Sequence, residues 1–201
     1  AIIIRGEGMS NPRVTRGTAS ACGGMSDSLF NYGIPAACGA DGPSGLRMEG
    51  KATQLPIGTA LSATWNTELV RELYTMEGQE LYRNQVDTLL GPGVNIRRNP
   101  LNGRNFEYFS EDPFLSGKMS VASTGGIKDG GAWGTIKHFA LNGQASHRFK
   151  IDAVCSERAI REIYLKSFEM AVKEKTVMSI MTSYNPINGH WAASNYDLCT
   201  T

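Results

Sequence analysis

Short apolar runs alternate with helix-forming segments from about residue 31 onward. The runs are too short for helices and are typical of buried strands, and they lie at 34–38, 88–96, 135–139 and 177–182. Helices are predicted after the first three runs, at 66–85, from Ser110 onward and from 156 to about 175. This alternation is typical of a parallel sheet whose strands are joined by crossover helices.

Local signals support the three helices. Within 66–85, the spacing of Leu69, Leu73 and Met76 predicts a single apolar face. The run Ser110-Glu111-Asp112-Pro113 predicts a helix start with Ser110 as the capping residue. In the third helix the spacing predicts an apolar stripe of Ile160, Ile163, Tyr164, Phe168, Ala171 and Val172, opposite the ion pairs Glu162–Lys166 and Glu169–Lys173.

Two architectures fit such an alternation, an open doubly wound sheet and a (β/α) barrel. No glycine-rich fingerprint follows a strand, which argues against a dinucleotide-binding sheet. Polar clusters instead follow the strands in turn, and a barrel builds its active site at that end. We therefore predict an α/β fold of the TIM-type barrel class. About four strand–helix units are present and a complete barrel needs about twice as many, so roughly the first half is expected.

The expected organisation is a single partial barrel domain. It spans residues 1–201, with an irregular lead-in at 1–30 and the strand–helix units at 31–201. The apolar run at 1–4 is too short for a signal peptide or a membrane span, and a cytoplasmic location is expected.

Charge and cysteine content exclude several classes of function. The chain has 20 basic and 19 acidic residues and a net charge of +1. Neither a nucleic acid nor a membrane is therefore expected as a partner. No C-x-x-C pair occurs among the four cysteines, so a zinc site is not expected. No other metal and no cofactor are expected either. The wide cysteine spacing favours buried free thiols over a disulfide scaffold.

Four polar clusters follow the predicted strands. Their candidate site residues are Asp41 in the first, Arg104 in the second, Lys137, His138 and Arg148 in the third, and Met181 and Tyr184 in the fourth. Lysine is rarely buried without a partner, so Lys137 within a buried strand indicates a ligand or a buried carboxylate. Neighbouring strand residues face opposite sides, so Lys137 or His138 should face the barrel interior.

Each cluster also has a purely structural interpretation. Asp41 suits a plain turn, Arg104 can pair with Glu107, and Met181 and Tyr184 can belong to the core. Taken together, the clusters suit a sugar, because a carboxylate accepts from hydroxyls while Lys, Arg and His donate to them. Aromatic and thioether groups can cover the apolar faces of the ring. A phosphate ligand is disfavoured by the carboxylate of Asp41.

Six runs occur in a fixed order along the chain: Asp41-Gly42-Pro43, Leu90-Gly91-Pro92-Gly93-Val94-Asn95, Asn102-Gly103-Arg104-Asn105-Phe106-Glu107, Ser110-Glu111-Asp112-Pro113, Ile136-Lys137-His138-Phe139 and Ser183-Tyr184-Asn185. In order and spacing they resemble the N-terminal-type barrel domain of glycoside hydrolase family 3, of the β-glucosidase type. The resemblance implies retaining hydrolysis of terminal non-reducing β-D-glucosyl or related β-linked residues without a metal. It also implies two partners, a small β-glucoside or oligosaccharide substrate and the remainder of the glycosidase polypeptide.

The resemblance further implies a role for each matching residue. Asp41 would grip hydroxyls of the non-reducing-end sugar. Four residues would donate to the same sugar or to its carboxylate partners: Arg104, Lys137, His138 and Arg148. Met181 and Tyr184 would lie beside the catalytic nucleophile.

Two features depart from the family pattern. A glutamate is missing from Asn142-Gly143-Gln144-Ala145, which is expected to loosen that loop. The family nucleophile is an aspartate on a strand expected downstream of Thr201, and Asp197 does not match it. The general acid/base comes from elsewhere again. The chain is therefore expected to supply a sugar-binding wall, to contain no catalytic carboxylate and to be inactive alone.

Two other functions remain open on the sequence alone. A non-catalytic sugar-binding module would use Asp41, Arg104 and Lys137 without any nucleophile. A barrel aldolase would use Lys137 as a Schiff base, which borohydride trapping would detect. The surroundings of Lys137 match the glycosidase far better than the aldolase.

Overall fold

A computed structural model describes residues 20–23, 31–33, 37–48 and 51–200. The strands are β1 (Ser20–Gly23), β2 (Ala37–Asp41), β3 (Thr88–Leu90), β4 (Trp133–Phe139), β5 (Ser179–Thr182), β6 (Pro186–Ile187) and β7 (His190–Trp191). The α-helices are α1 (Gly58–Ala63), α2 (Thr67–Arg83), α3 (Pro113–Asp129), α4 (Glu157–Ala159), α5 (Lys166–Lys173) and α6 (Tyr196–Thr200). A π-helical turn at Ile160–Tyr164 lies between α4 and α5, and a 3₁₀ turn at Ala192–Ser194 precedes α6.

The main sheet has its strands in the order β1-β2-β3-β4-β5. The pairs from β2 to β5 are parallel, whereas β1 pairs antiparallel with β2. Consecutive parallel strands are direct neighbours, so the strand order never reverses as it does in a doubly wound sheet. This arrangement confirms the barrel-type α/β fold, although the sheet is not closed. Strand β1 lies in the segment expected to be irregular, and the rest of that lead-in, 1–19 and 24–30, lies outside the described residues.

Helix α2 buries a different face from the predicted one. Val70, Tyr74 and Leu81 are buried, while Leu69 and Met76 are exposed. The prediction of a face through Leu69 and Met76 is therefore wrong. Two apolar stripes lie side by side on this helix, and tertiary contacts select between them, because the Tyr74 hydroxyl donates to the Pro43 carbonyl (2.9 Å).

Helix α3 begins where the sequence predicts, but with a different cap. The Asp112 side chain accepts hydrogen bonds from the backbone N–H groups of Phe114 (2.7 Å) and Leu115 (2.9 Å). Ser110 is therefore not the cap, and its hydroxyl instead accepts from the Asp112 N–H (3.0 Å). The carboxylate caps the helix more effectively because it also interacts favourably with the helix dipole.

The third predicted helix is interrupted by the π-helical turn. This turn shifts the helical register, so Phe168 and Ala171 are buried while Ile163 and Val172 are exposed. The predicted ion pair Glu169–Lys173 is confirmed. Glu162 instead pairs with Arg158 (3.1 Å), so the predicted partner Lys166 is wrong.

The core lies between the sheet and the helices that follow its strands. Ala40, Leu89 and Ile136 from the strands pack with buried side chains of α2, α3 and α5. Close contact between α2 and α3 requires glycine at the crossing. A Cβ at Gly126 would lie 2.3 Å from the Arg71 carbonyl oxygen, and one at Gly78 would lie 2.5 Å from the Ile127 carbonyl oxygen.

The first parallel strand ends later than predicted. Residues 34–36 lie outside the described residues, and β2 continues through Gly39 to Asp41, which the sequence places in a turn. Cys38 on this strand is disulfide-bonded, so the expectation of a free thiol is wrong there. Cys155 and Cys199 are free, as expected, but Cys155 is only partly buried and Cys199 is exposed, so the expectation that these thiols are buried is wrong. Across the described residues, each helix is too short or too polar to cross a membrane.

Candidate active site

A cleft of about 930 Å³ opens at the carboxyl ends of the parallel strands. All seven residues singled out from the sequence line it: Asp41, Arg104, Lys137, His138, Arg148, Met181 and Tyr184. They come from the ends of β2, β4 and β5 and from the loops after β3 and β4. This is the end of the sheet at which barrel enzymes place their catalytic groups.

Asp41 is the central carboxylate of the cleft. The Lys137 ammonium donates to one of its oxygens (2.7 Å), and the Arg47 guanidinium pairs with the other. Arg47 reaches Asp41 because a tight turn follows β2, in which the Arg47 N–H donates to the Asp41 carbonyl (2.9 Å). Gly45 is required in this turn, since a Cβ there would lie 2.2 Å from the Thr53 carbonyl oxygen.

Lys137 is a buried cation on β4, with 3% of its surface exposed. Burial lowers its pKa to about 8; the charge of Glu107 opposes this change. The ion pair with Asp41 also favours the ammonium form. The expectation that Lys137 needs a buried carboxylate partner is therefore met by Asp41, which lies 96 positions earlier in the chain.

Lys137 and His138 both line the cleft, although they are neighbours on one strand. The pairing of β4 with β5 shifts register between Lys137 and Phe139. The strict alternation of a regular strand does not apply at such an irregularity. The peptide bond between Lys137 and His138 is cis.

Arg104 pairs with Glu107 at the side of the cleft formed by the loop after β3. Glu107 is buried and Arg104 is partly buried. Both side chains also line the cleft, so the ion pair anticipated from the sequence holds Arg104 at the site rather than away from it. The structural and the binding interpretations of Arg104 are thus compatible.

His138 is held by a buried hydrogen-bond network. The backbone N–H of His138 donates to the Asn95 side-chain oxygen (2.8 Å), and the Asn95 side-chain amide donates to the backbone carbonyl of His138 (2.9 Å). The Asn142 amide nitrogen lies 3.1 Å from ring Nδ1, and the Tyr108 hydroxyl lies 3.3 Å from it. The Asn95 side-chain oxygen is more distant from Nδ1 (3.4 Å), and the nearest neighbour, the Asn142 amide nitrogen, can only donate, so Nδ1 is assigned as the acceptor and the proton to Nε2.

The electrostatic surroundings keep this imidazole neutral. Burial lowers the pKa of His138 to about 2, and the cations of Arg104 and Lys137 act in the same direction. Burial, together with the charge of Glu107, raises the pKa of Tyr108, so its phenol stays protonated. His138 is thus a neutral hydrogen-bond donor through Nε2 over the whole physiological range.

The last part of the cleft is aromatic and apolar. The Arg148 guanidinium lies 4.9 Å from the ring centroid of Tyr184, which is half-exposed. Met181, at the end of β5, lines the cleft beside it. A surface that combines ring faces, a thioether and clustered donors suits a pyranose, which has apolar faces and a polar rim.

The cleft carries more cations than carboxylates. Its lining contains four cations, Arg47, Arg104, Lys137 and Arg148, and two carboxylates, Asp41 and Glu107. The excess of four cations over two carboxylates gives the lining a net charge of +2, so additional carboxylates would be stabilised here. In the described ranges, no group of three or more His, Cys, Asp or Glu side chains is placed to hold a metal ion.

The sequence matches the model of the glycosyl hydrolase family 3 N-terminal domain over residues 2–201. The chain belongs to this family. A β-glucosidase of Ruminococcus albus is 55% identical over 98% of the chain, which corresponds to 21% of that relative. An exo-α-(1→6)-L-arabinopyranosidase of Bifidobacterium breve is 43% identical over 84% of the chain and 24% of that relative. The chain spans about a fifth of the length of the curated relatives that it matches.

Solved structures of family 3 enzymes share the fold. A β-glucosidase from Paenibacillus barengoltzii is 65% identical with a TM-score of 0.93, over 100% of this chain and 22% of that one. β-Glucosidase 3B from Thermotoga neapolitana, in complex with glucose, is 39% identical with a TM-score of 0.88, over 100% of this chain and 30% of that one. These likenesses confirm the resemblance that the sequence motifs indicate.

Several residues that contact the candidate residues are not singled out by sequence reasoning. Arg47, Asn95, Tyr108 and Asn142 all contact a candidate residue directly. Arg47 lies 6 positions after Asp41 and Asn142 lies 4 positions after His138, so proximity along the chain is a usable signal for both. Gln144 donates to the Ser146 carbonyl (3.1 Å), and the expected loosening of that loop stays a prediction.

Proposed function

We propose that this chain forms the sugar-binding wall of a retaining β-glucosidase that removes terminal non-reducing β-D-glucosyl residues. The convergence of Asp41, Lys137 and Arg104 in one cleft at the carboxyl ends of the strands carries this proposal. Its support also comes from family membership and from relatives that are named β-glucosidases. Because the chain matches only part of those relatives, the activity belongs to the polypeptide that contains it.

In this proposal the cleft binds a pyranose by its hydroxyl groups. A carboxylate has about four acceptor positions, so Asp41 can accept from sugar hydroxyls while it is bound to Lys137 and Arg47. Lys137, Arg104 and His138 Nε2 donate to hydroxyl oxygens of the same ring. Met181 and Tyr184 cover the apolar face. Charged hydrogen-bond partners in a partly dry site also give strong selectivity for the pattern of hydroxyls.

The two catalytic carboxyl groups are assigned to residues outside this chain. Retaining hydrolysis needs a nucleophile and a general acid/base about 5 Å apart on the two sides of the scissile bond. In the cleft, Asp41 and Glu107 are each bound to cations, which suits a binding role better than nucleophilic attack. The net positive charge of the cleft would stabilise a nucleophilic carboxylate placed in it.

Hydrolysis of p-nitrophenyl β-D-glucoside by the polypeptide that contains this chain tests the proposal. We expect turnover with β-glucose as the first sugar released, which NMR of the anomeric proton detects. p-Nitrophenyl α-L-arabinopyranoside should be included, because one relative is named for that sugar. Binding of glucose without cleavage of either substrate would favour the sugar-binding module and contradict the proposal.

The ionisation of Lys137 predicts the alkaline side of the pH profile. Sugar binding uses its ammonium form, and its pKa is lowered to about 8. We expect kcat/KM for the β-glucoside to fall as the pH rises through about 8. In the Lys137→Arg variant the guanidinium stays charged, so the fall should move to higher pH even if the activity is lower. If kcat/KM fell with the same midpoint pH in both proteins, the ionisation would belong to a group other than Lys137.

A further inference from the structure

Three side chains meet at the mouth of the cleft and form what we call the entrance cluster: Arg148, Phe149 and Tyr184. The rings of Phe149 and Tyr184 have centroids 4.7 Å apart and are tilted by 45°. The Arg148 guanidinium lies 5.3 Å from the Phe149 centroid and 4.9 Å from the Tyr184 centroid. The cation therefore contacts both rings, and each ring contacts the other.

Arg148 differs from the other three cations of the cleft. Arg47 and Lys137 pair with Asp41, and Arg104 pairs with Glu107. Among the described residues, Arg148 forms no ion pair, and its described contacts are with the two rings. The orientation of its guanidinium therefore depends on the entrance cluster rather than on a carboxylate.

The loop that carries Arg148 has little regular structure to hold it. Residues 142–152 contain neither helix nor strand. The backbone hydrogen bonds around Arg148 are local, from the N–H groups of Lys150 (2.7 Å) and Ile151 (3.3 Å) to the His147 carbonyl. The stacking of Phe149 on Tyr184 is thus a link between this loop and the turn that follows β5.

Phe149 is also poorly explained as a core residue, because 55% of its surface is exposed. It does not line the cleft itself, whereas Arg148 and Tyr184 do. Because Phe149 contacts Arg148 and Tyr184 but not the interior of the cleft, its direct effect is on the orientation of these two side chains.

We propose that Phe149 is a positioning residue that fixes Arg148 and Tyr184 in the sugar-binding orientation. This inference rests on the proposed β-glucosidase function. The Phe149 ring packs against the Tyr184 ring and supports the Arg148 guanidinium. Both side chains are therefore already ordered before the sugar binds. An aromatic pair and an exposed cation–π contact together correspond to about 5- to 50-fold in affinity.

The test compares Phe149→Ala and Phe149→Tyr in the polypeptide that contains this chain. We expect Phe149→Ala to raise KM for p-nitrophenyl β-D-glucoside by about 5- to 50-fold, with a much smaller change in kcat. Phe149→Tyr, which keeps the ring, should restore most of the affinity. An unchanged KM in Phe149→Ala, or equal losses of kcat and melting temperature in both variants, would overturn the proposal.

Phe114→Ala is the matched control. Phe114 is 59% exposed and also carries a cation–π contact, since the Lys118 ammonium lies 5.5 Å from its centroid. It lies at the start of α3 and does not line the cleft. Its removal should leave KM unchanged. If the parent hydrolyses no glycoside, the proposed function fails, but glucose binding measured by calorimetry for the same variants still decides the role of Phe149.

Discussion

Replacing Asp41 with asparagine is expected to lower kcat/KM for a β-glucoside by about 30- to 5,000-fold. Asparagine keeps the size of the side chain but removes the charge that binds Lys137 and Arg47. In the proposed wall Asp41 also accepts hydrogen bonds from the sugar, and loss of one partner from a charged, hydrogen-bonded contact across a binding interface costs about 2–5 kcal/mol. Steady-state kinetics at neutral pH measure the effect directly.

Both kcat and KM should change in the Asp41→Asn variant. Binding energy from parts of the sugar that do not react also stabilises the transition state. Glucose should raise the melting temperature of the parent and have a much smaller effect on the variant, because only a folded site that binds glucose is stabilised by it. This second measurement separates loss of the site from loss of the fold.

Asp129→Asn provides the comparison for Asp41→Asn. Asp129, at the far end of α3, pairs with Arg71 of α2 (2.7 Å), and both side chains are nearly half exposed. Exposed ion pairs contribute about 0–1 kcal/mol, so kcat/KM should be nearly unchanged. If Asp41→Asn also behaved like the parent, Asp41 would not bind the substrate and the proposed wall would be wrong.

Replacing Glu77 with methionine is expected to stabilise the protein by about 1–3 kcal/mol at pH 8. Glu77 lies on the buried face of α2 with 2% of its surface exposed. Neither of its carboxyl oxygens has a hydrogen-bond partner among the described residues. A buried polar group without a partner costs free energy that an unbranched apolar side chain of similar size avoids.

The effect of Glu77→Met should depend on pH. Burial, and secondarily the charge of Glu80, raises the pKa of Glu77 well above the ordinary value of 4.5. The Gly45 N–H offsets part of this rise but donates its own hydrogen bond to the Gly42 carbonyl (3.1 Å). A raised pKa means that the folded protein holds this proton more tightly than the unfolded chain does. The parent therefore loses stability relative to the variant as the pH rises above about 4.5 towards the raised value.

Melting temperatures at pH 5 and pH 8 measure this difference. Glu77→Met should melt several degrees above the parent at pH 8, with a smaller gap at pH 5. Glu72→Met is the comparison, because Glu72 lies on the exposed side of the same helix and has no burial cost to remove. A lower melting temperature for Glu77→Met at pH 8 would show that the carboxyl group makes a stabilising interaction.

Local sequence patterns predict the elements well but their orientation poorly. Strand and helix periods locate β4, β5 and α2 to within about two residues, whereas only Thr88–Leu90 of the predicted run 88–96 forms strand β3. They do not decide which of two apolar stripes on α2 is buried, because both stripes have the helical spacing. The same limit applies to the π-helical turn, which changes the helical register without an evident local signal.

The composition of the site is predictable because of a general property of parallel sheets. Residues at the carboxyl ends of parallel strands meet at one edge whatever their distance along the chain. Asp41, Lys137 and Met181 each lie near such an end, and all three line the cleft. The predicted strands and the family motifs are therefore sufficient to group them in one site. Residues outside these motifs, such as Phe149, carry no comparable signal.

The sequence by itself determined the parallel α/β architecture, the family and the set of candidate residues, because these depend on local periods and ordered motifs. Only the tertiary structure decided which of these side chains contact one another. The ammonium of Lys137 meets Asp41 across 96 positions, and the ring of Phe149 meets Tyr184 across a segment that contains α4, α5 and β5. Such contacts depend on the register of β4 with β5 and on the path of each loop, which are set by packing over long sequence separations rather than by neighbouring residues.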